Sequence, residues 1–214
     1  MIKNIIIIGA SEPGFEILDI VKEINNQKKQ YEFLGFFDEY KKGRKIFNSF
    51  KNLEKINSNT SEVYFVNSIG NVFNRKRTTN EFKEKGFKLE KIISPQSYIS
   101  KNSQISQGVI IFPNVSISYN TKIGENVLVN YNCSISHGCS IGENCNISPG
   151  CHISGNVKIS KNCFLGTGVT IIPEIIIKSE IYIGAGATIT KNLKKSGIYV
   201  GIPARYLRSN TNER

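Results

Sequence analysis

Aliphatic residues recur at every sixth position through the C-terminal half of the chain. The series runs from Ile93 to Ile189 without a change of phase, and all 17 of its positions hold Ile, Leu or Val. Buried positions repeat every 3.6 residues in an α-helix and every two in a strand, so a strict period of six fits neither element. It predicts a parallel β-helix, in which each hexad forms one side of a three-sided coil of about 18 residues.

A second series, of mostly small or β-branched residues, lies four positions after each aliphatic and contains all five cysteines. They are Cys133, Cys139, Cys145, Cys151 and Cys163. Free cysteine packs as a small hydrophobic residue, and these spacings of six and twelve lack the short pairs of a zinc site. We therefore predict buried core thiols in a reducing compartment and no metal. The alternative is a disulfide between Cys133 and Cys151, which the period stacks one coil apart.

The first 92 residues have a different pattern, in which apolar runs alternate with amphipathic segments. The apolar runs are Ile5–Ile8, Phe33–Phe37 and Val63–Val66; a glycine turn and an amphipathic helix follow the first, and a basic, helix-like segment ending near Lys85 follows the third. Alternating strands and helices predict a small parallel sheet with crossover helices. Three strands are too few for a complete NAD-dependent dehydrogenase.

The turn after the first strand is a candidate ligand site, because ligands of such sheets bind beyond the carboxyl ends of the strands. Its sequence, G-A-S-E-P-G, is a loose match to the dinucleotide fingerprint G-x-G-x-x-G, with Ser11 at the middle glycine. Asp38 follows the second strand, where an acid often holds ribose hydroxyls. These residues favour a nucleotide-bearing ligand, and a tight turn without a ligand is the alternative.

The 214-residue chain has a formal net charge of +11, and the excess is unevenly placed. Residues 93–190 hold five basic and four acidic side chains, whereas residues 191–214 hold six and one. A nucleic-acid-binding protein gathers its basic residues on one face, so this distribution argues against nucleic acid and favours small anions such as phosphates. No apolar run approaches the roughly 18 residues of a membrane span. The start, with Ile5–Ile8 before a glycine, predicts a strand and not a signal peptide.

Several motifs together resemble one family. They are GAS..G after the first strand, GFFDE at the end of the second, SIGN at Ser68–Asn71, and GAGATITKN followed by GIYVGIPAR after the hexads. Over essentially its whole length, the chain is similar to the bacterial sugar acyltransferases of the sialic-acid O-acetyltransferase type. Within these it is most similar to UDP-4-amino-sugar N-acetyltransferases, such as the enzyme that acetylates the bacillosamine precursor.

The resemblance implies a domain organisation and an assembly. Residues 1–92 would form a Rossmann-like nucleotide-sugar-binding domain, residues 93–193 a left-handed β-helix acyltransferase domain, and residues 194–214 a basic C-terminal tail. The family implies a cytoplasmic homotrimer that uses acetyl-CoA, with active sites in the clefts between neighbouring β-helices.

His137 is the candidate general base. The chain has two histidines, and His137 lies two residues after the inward Ile135, at a corner where side chains face outward. Its position alone leaves a solvent-exposed corner histidine as the alternative, but the family's catalytic histidine falls on this residue. Imidazole titrates near neutral pH and takes a proton from an attacking amine. His152 precedes the inward Ile153 and should point outward from a flat side, which makes a ligand role the weaker expectation for it.

The resemblance also implies residues for both substrates. The acceptor set is Gly9, Ala10, Ser11, Gly14, Asp38, Glu39, Ile69, Gly70, Asn71 and Asn130. The acetyl-CoA set is Asn146, Gly155, Thr167, Ala185, Gly201, Ile202, Pro203 and Arg205, with Gly155 also a candidate oxyanion donor. Lys191, Lys194 and Arg208 join Arg205 as candidate contacts for the coenzyme phosphates.

Three positions depart from the family pattern. Gly138 stands where the family often has an acid that orients the histidine, and Glu143 is the candidate substitute. Asn146 replaces a later histidine, and Glu12 with Pro13 replaces a glycine–histidine pair in the first turn. The first departure bears on the base, and the last bears on which sugar nucleotide is bound.

These observations predict an enzyme that transfers acetyl from acetyl-CoA to the amino group of a nucleotide-linked sugar in surface-glycan biosynthesis. The alternative within the same class acetylates a hydroxyl, as on a sialic acid. A hydroxyl needs a stronger base arrangement, so the missing acid at Gly138 favours an amine. The alternative of a different class is a non-catalytic β-helix binding protein, because the repeat alone is a scaffold.

Overall fold

The chain divides into two compact units, with the boundary between Pro95 and Gln96. A computed structural model describes residues 2–57 and 62–210. Residues 211–214 of the predicted basic tail lie outside the described residues. No helix in the described ranges has the length and apolar character needed to cross a membrane.

The first unit is a parallel sheet with helices between its strands. Its elements are β1 (Lys3–Ile8), α1 (Glu12–Gln27), β2 (Tyr31–Phe37), β3 (Ile46–Phe47), α2 (Phe50–Asn57), β4 (Val63–Asn67), α3 (Val72–Glu84), β5 (Lys88–Leu89) and β6 (Ile92–Ile93). Strands β1 to β5 are parallel and lie in the order β3-β2-β1-β4-β5. The predicted alternation of strands and helices is confirmed, but the prediction of three strands was too low. The edge strands β3 and β5 have two residues each, too few to stand out in the apolar pattern.

Burial of β1 and of one phenylalanine cluster holds this unit together. The four isoleucines Ile5–Ile8 are at most 2% exposed, as expected of a central strand covered on both faces. Phe82 of α3 packs against four other rings, with centroids 4.9 to 5.2 Å from its own: Phe37, Phe50, Phe65 and Phe87. The cluster fastens α3 to the sheet and thereby fixes the loop that precedes α3.

The second unit is a parallel β-helix with three faces. Face I contains β7 (Tyr98–Ile99), β10 (Ser116–Ile117), β13 (Ser134–Ile135), β16 (His152–Ile153), β19 (Thr170–Ile171) and β22 (Thr188–Ile189). Face II contains β8 (Gln104–Ile105), β11 (Lys122–Ile123), β14 (Ser140–Ile141), β17 (Lys158–Ile159) and β20 (Ile176–Ile177). Face III contains β9 (Ile110–Ile111), β12 (Leu128–Val129), β15 (Asn146–Ile147), β18 (Phe164–Leu165), β21 (Ile181–Ile183), β23 (Gly197–Val200) and, antiparallel to it, β24 (Arg205–Arg208). Ile135 pairs with Ile153, 18 residues further on, so the predicted coil length is confirmed.

Corners connect the faces and stack into three edges. Edge A joins face I to face II and includes residues 136–139, edge B joins face II to face III and includes residues 142–145, and edge C joins face III to face I and includes residues 148–151. Residues 18 positions apart therefore lie on the same edge, one coil apart. Residues six positions apart lie on neighbouring edges, with a whole face between them.

The inward positions form the core of the β-helix. All five cysteines are buried and free, which confirms the prediction of core thiols. The Sγ atoms of Cys139 and Cys145 lie 3.1 Å from the carbonyl oxygens of Ser154 and Ser160 in the next coil. Burial raises the pKa of the Cys139 thiol, so the thiol stays protonated and donates to that carbonyl. Among residues 2–57 and 62–210, no group of three or more His, Cys, Asp or Glu side chains could hold a metal ion.

Asparagines on edge B form a buried ladder across three coils. Asn126 Nδ2 donates to Asn144 Oδ1 at 2.9 Å, and Asn144 Nδ2 donates to Asn162 Oδ1 at 3.1 Å. Their φ angles are 58° to 59°, in the left-handed region that asparagine tolerates better than most residues. The corner geometry and the hydrogen bonds thus select the same residue type.

Replacing Asn144 by alanine should lower the free energy of unfolding by about 2 kcal/mol more than replacing Asn114. The first change takes away the acceptor of Asn126 and the donor to Asn162, two buried side chains. Asn114 is exposed and has a φ of 59°. Its replacement by alanine therefore introduces the same backbone strain but breaks no hydrogen bond of the amide ladder. Denaturant unfolding of both variants measures the difference. If both variants lose the same free energy of unfolding, the whole effect comes from backbone strain at the corner and none from the ladder.

Candidate functional site

A cavity of about 670 Å³ lies at the carboxyl ends of the strands in the first unit. Its walls are the turn after β1, the end of β2, the loop before α3 and one face of α3. Six of the predicted acceptor residues line it: Gly9, Ser11, Asp38, Glu39, Ile69 and Gly70. A cavity of this volume is large enough for a small-molecule ligand. Ala10, Gly14 and Asn71 do not contribute to its walls.

Gly9 and Gly14 shape this cavity through steric fit. A Cβ on Gly9 would collide with Ser68 Oγ, and a Cβ on Gly14 would collide with the Gly9 carbonyl oxygen. The φ of Gly9 is +96°, which also favours glycine. Gly70 differs from both, because a Cβ there would meet no atom within 4 Å. The first two glycines are required by packing, whereas Gly70 leaves open space beside the cavity.

Asp38 has three main-chain hydrogen bonds. Its Oδ2 accepts the N–H of Ala10 at 3.0 Å, and its Oδ1 accepts those of Tyr40 and Lys41 at 3.1 and 3.2 Å. These bonds tie the turn after β1 to the loop after β2. The carboxylate predicted to hold ribose hydroxyls is therefore already engaged in positioning two walls of the cavity. Glu39 also lines the cavity, and it accepts no hydrogen bond from the described residues.

The loop Ser68–Asn71 is held by two buried residues that the sequence pattern did not single out. Arg75 is 1% exposed and donates through Nη1 to the carbonyl oxygens of Ile69 and Gly70, at 2.9 and 3.2 Å. Asn67 Oδ1 accepts the N–H of Ile69 at 3.1 Å. Asn71 caps the N-terminus of α3 through its side chain, so its contribution is to the helix and not to the walls of the cavity. In the sequence Arg75 is one member of the basic, helix-like segment that ends near Lys85, and nothing in that pattern distinguishes it from its neighbours.

In the second unit, His137 lies on edge A with its side chain exposed. Its carbonyl oxygen accepts the N–H of Asn156 at 2.9 Å, and the N–H of Gly138 donates to the carbonyl of Tyr119 at 3.0 Å. The ring covers Gly155 in the next coil, because a Cβ on Gly155 would lie 2.7 Å from His137 Cε1 and 2.9 Å from Nε2. The structure thus brings together the residue predicted as base and the residue predicted as oxyanion donor.

The other predicted coenzyme residues lie away from edge A. Thr167 and Ala185 are exposed on edge C, one coil apart, and residues 201–204 connect β23 to β24, which begins at Arg205. Asn130, from the acceptor set, lies at an earlier corner of edge C, where its Oδ1 accepts the Tyr131 N–H. Within one chain, face I separates all of these from His137.

Glu143 is not placed to orient His137. It lies six residues after the histidine and therefore on edge B, where its Oε1 is 4.0 Å from Lys161 Nζ. Both side chains are more than half exposed, so this ion pair adds little. The hypothesis fails within one chain because a hexad spans a whole side of the coil. Among the described residues of the chain, the His137 ring has no hydrogen-bond partner.

Asn146 carries a buried acceptor without a donor. It is 6% exposed on β15, and its Oδ1 has no hydrogen-bond partner among the described residues. Its neighbours in the adjacent coils, Leu128 and Phe164, have apolar side chains that cannot donate. Buried polar atoms are rarely left without a partner, so this oxygen fits a ligand that brings an N–H group.

Two family models match consecutive parts of the chain. Residues 4–82 match the model described as the PglD N-terminal domain, and residues 93–198 match the model described as the GMPPB C-terminal domain. A search of curated protein sequences found no match.

Solved structures match both units at once. The acetyltransferase domain of PglB from Neisseria gonorrhoeae FA1090 is 25% identical, with a TM-score of 0.87 over 96% of this chain and 100% of that chain. WeeI from Acinetobacter baumannii AYE is also 25% identical, with a TM-score of 0.84 over 96% of this chain and 100% of that chain. PerB from Caulobacter crescentus, in complex with CoA and GDP-perosamine, is 21% identical over 97% of this chain and 99% of that chain, and its TM-score of 0.88 shows the fold alone. The resemblance to bacterial sugar acetyltransferases stated from the sequence is thus confirmed.

Proposed function

We propose that the chain is an acetyl-CoA-dependent N-acetyltransferase that acts on the amino group of a nucleotide-linked amino sugar in surface-glycan biosynthesis. The observation that carries the proposal is the exposed His137 ring lying over Gly155 at a corner of the β-helix. Similarity to the acetyltransferase domain of PglB along 96% of the chain supports it. In this proposal residues 1–92 bind the nucleotide sugar, residues 93–193 carry out the transfer, and the basic tail 194–214 meets coenzyme phosphates.

The proposed chemistry needs one base and one oxyanion donor. Acetyl-CoA supplies an activated acetyl thioester. The neutral His137 imidazole takes a proton from the acceptor amine as the nitrogen attacks the carbonyl carbon, and it returns the proton to the departing thiol. The N–H of Gly155 donates to no described residue and is available to the carbonyl oxygen as negative charge develops there. The amine itself is the nucleophile, so the buried thiols are not needed.

The residues present fit the coenzyme. The unpartnered Oδ1 of Asn146 would accept an amide N–H of the pantetheine arm, which carries such groups. Thr167 and Ala185 are exposed with small side chains on edge C, so an extended arm can lie against the main chain there. Arg205 is exposed at the start of β24 and offers a guanidinium to the phosphates.

The split of these residues between two edges supports a homotrimer. Gly155 lies on edge A with His137, whereas Thr167 and Ala185 lie on edge C. One coenzyme molecule can reach both sets when edge A of one copy faces edge C of the next. Three copies related by a threefold axis close such a ring, with face I of each copy towards the axis. Asn130 on edge C would then approach the His137 of a neighbour.

We also infer that the coils are left-handed and that the reaction takes place in the cytoplasm. The strict hexad and the family resemblance support the handedness. The five free thiols and the use of acetyl-CoA support a reducing compartment.

Thiol release from acetyl-CoA tests the proposed function. The purified chain is offered UDP-, GDP- and dTDP-linked 4-amino sugars in turn, each beside the matching 4-hydroxy sugar. We expect thiol release with the 4-amino sugars of one nucleotide class. The acetyl group should be found on the amine, and the matching 4-hydroxy sugar should not be acetylated. Release with the hydroxy sugars alone would assign the activity to O-acetylation. If none of the acceptors gives thiol release, the result would favour a non-catalytic binding protein. The same preparation should have the mass of three chains in solution.

A further inference from the structure

Tyr119 is an exposed aromatic residue in the same stacked column as His137. It lies on edge A, 18 residues before His137, and 59% of it is exposed. The hydrogen bond from the Gly138 N–H to the Tyr119 carbonyl, at 3.0 Å, fixes the two corners one coil apart, a rise of about 4.8 Å. The column therefore runs Tyr119, His137, Gly155 along the edge.

Neither packing nor hydrogen bonding explains this side chain. Among the described residues, its hydroxyl has no hydrogen-bond partner and its ring has no aromatic partner. A tyrosine held at a corner with more than half its surface in water gains little from burial. Exposed aromatic side chains beside a reactive group are typical of ligand contacts.

The order of the column decides which substrate meets Tyr119. This step rests on the proposed function. Gly155 and the exposed coenzyme candidates Thr167 and Ala185 lie on the C-terminal side of His137 along the β-helix. The thioester is thus expected on that side of the imidazole. The amine must then approach from the opposite side, and the next residue of the column on that side is Tyr119.

We propose that Tyr119 forms the platform of the acceptor subsite, on which the pyranose ring of the amino sugar stacks while His137 receives the proton of its amine. The face of a pyranose ring presents C–H groups, and these pack favourably on the face of an aromatic ring. The ring of Tyr119 holds the sugar at the level at which its nitrogen meets the base. Its role is to position the acceptor, with no proton transfer of its own.

Steady-state kinetics of Tyr119→Ala, with the acceptor and with acetyl-CoA varied separately, test this role. KM for the nucleotide amino sugar should rise roughly tenfold, while KM for acetyl-CoA stays unchanged. Tyr119→Phe keeps the ring and should behave like the unaltered enzyme. Tyr119→Leu keeps apolar volume without a planar ring and should resemble alanine. The unfolding temperature of each variant is measured as well. If Tyr119→Ala folds poorly, the kinetics of Tyr119→Leu decide the test.

Tyr98→Ala is the matched control. Tyr98 is also an exposed tyrosine of the β-helix, at 65%, but it lies on β7 in the flat face I. Face I is turned towards the axis of the proposed trimer, so the replacement of Tyr98 should change neither KM in a preparation that keeps the mass of three chains. An unchanged acceptor KM in Tyr119→Ala and Tyr119→Leu, or a rise in the acetyl-CoA KM instead, would overturn the inference while leaving the proposed function intact. If the unaltered chain acetylates no nucleotide amino sugar, the proposed function fails first and this subsite with it.

Discussion

Replacing His137 by alanine should lower kcat for acetyl transfer about 10³-fold while the chain keeps its fold. The ring is exposed and rests on Gly155 outside the core, so its removal leaves no cavity inside the β-helix. What is lost is the group that takes the proton from the acceptor amine. Thiol release at saturating substrates measures the loss, and thermal unfolding measures the retention of the fold.

His152→Ala is the control for this experiment. His152 is the chain's other histidine, exposed on face I, and its Nδ1 lies 2.8 Å from Ser134 Oγ. It belongs to β16 and not to the corners of edge A, so its replacement should leave kcat close to that of the unaltered chain. Equal losses in the two variants, or a loss under about tenfold in His137→Ala, would contradict the assignment of His137 as general base.

Gly155→Ala should lower kcat about 100-fold without a matching loss of stability. The added Cβ would lie 2.7 Å from Cε1 and 2.9 Å from Nε2 of His137, well inside contact distance. The three nearest atoms to this Cβ all belong to the ring. The ring is the exposed end of a side chain and can turn away, so the fold survives while the base is displaced. Thiol release and thermal unfolding again provide the two readouts.

A double-variant cycle shows whether this loss acts through the ring. Combined with His137→Ala, the Gly155→Ala change should cost no further activity, because no imidazole is left to displace. Gly142→Ala provides the structural contrast. Its Cβ would lie 2.6 Å from the main-chain nitrogen of Lys161, which cannot turn away, so that variant should lose stability instead. Additive losses in the cycle would show that Gly155 does not act through His137.

Periodicity was sufficient to predict the β-helix, because two residues in every six are committed to the core. The same reasoning failed for β3, β5 and α2 in the first unit. A strand as short as Ile46–Phe47, flanked by charged and turn-forming residues, has no period to detect. Its place in the sheet comes from pairing with Phe36 and Phe37, a tertiary contact that local sequence does not encode.

The candidate site was predictable where it follows from the 18-residue coil. His137 and Gly155 differ by 18 positions, so their contact could be expected from the period. The same count places Glu143, six positions from the histidine and the candidate substitute for the acid missing at Gly138, on a different edge of the same chain. Asp38 and Arg75 were harder to interpret, because their partners are main-chain groups, which the residue types in a sequence do not reveal. From the sequence alone, a charged side chain that stabilises a loop cannot be distinguished from one that binds a ligand.

A β-helix whose coils are nearly identical can in principle stack out of alignment. A chain shifted by one whole coil would still place aliphatic and small residues at every inward position, so burial alone does little to choose the correct stacking during folding. The corner position of the amide ladder is asparagine in three successive coils, Asn126, Asn144 and Asn162, and it differs only in the coils on either side, which have Gly108 and Glu180. A shifted stack would set a buried amide beside a glycine or a carboxylate. The two ends of the ladder therefore act as alignment marks, and they favour the stacking in which the imidazole meets Gly155.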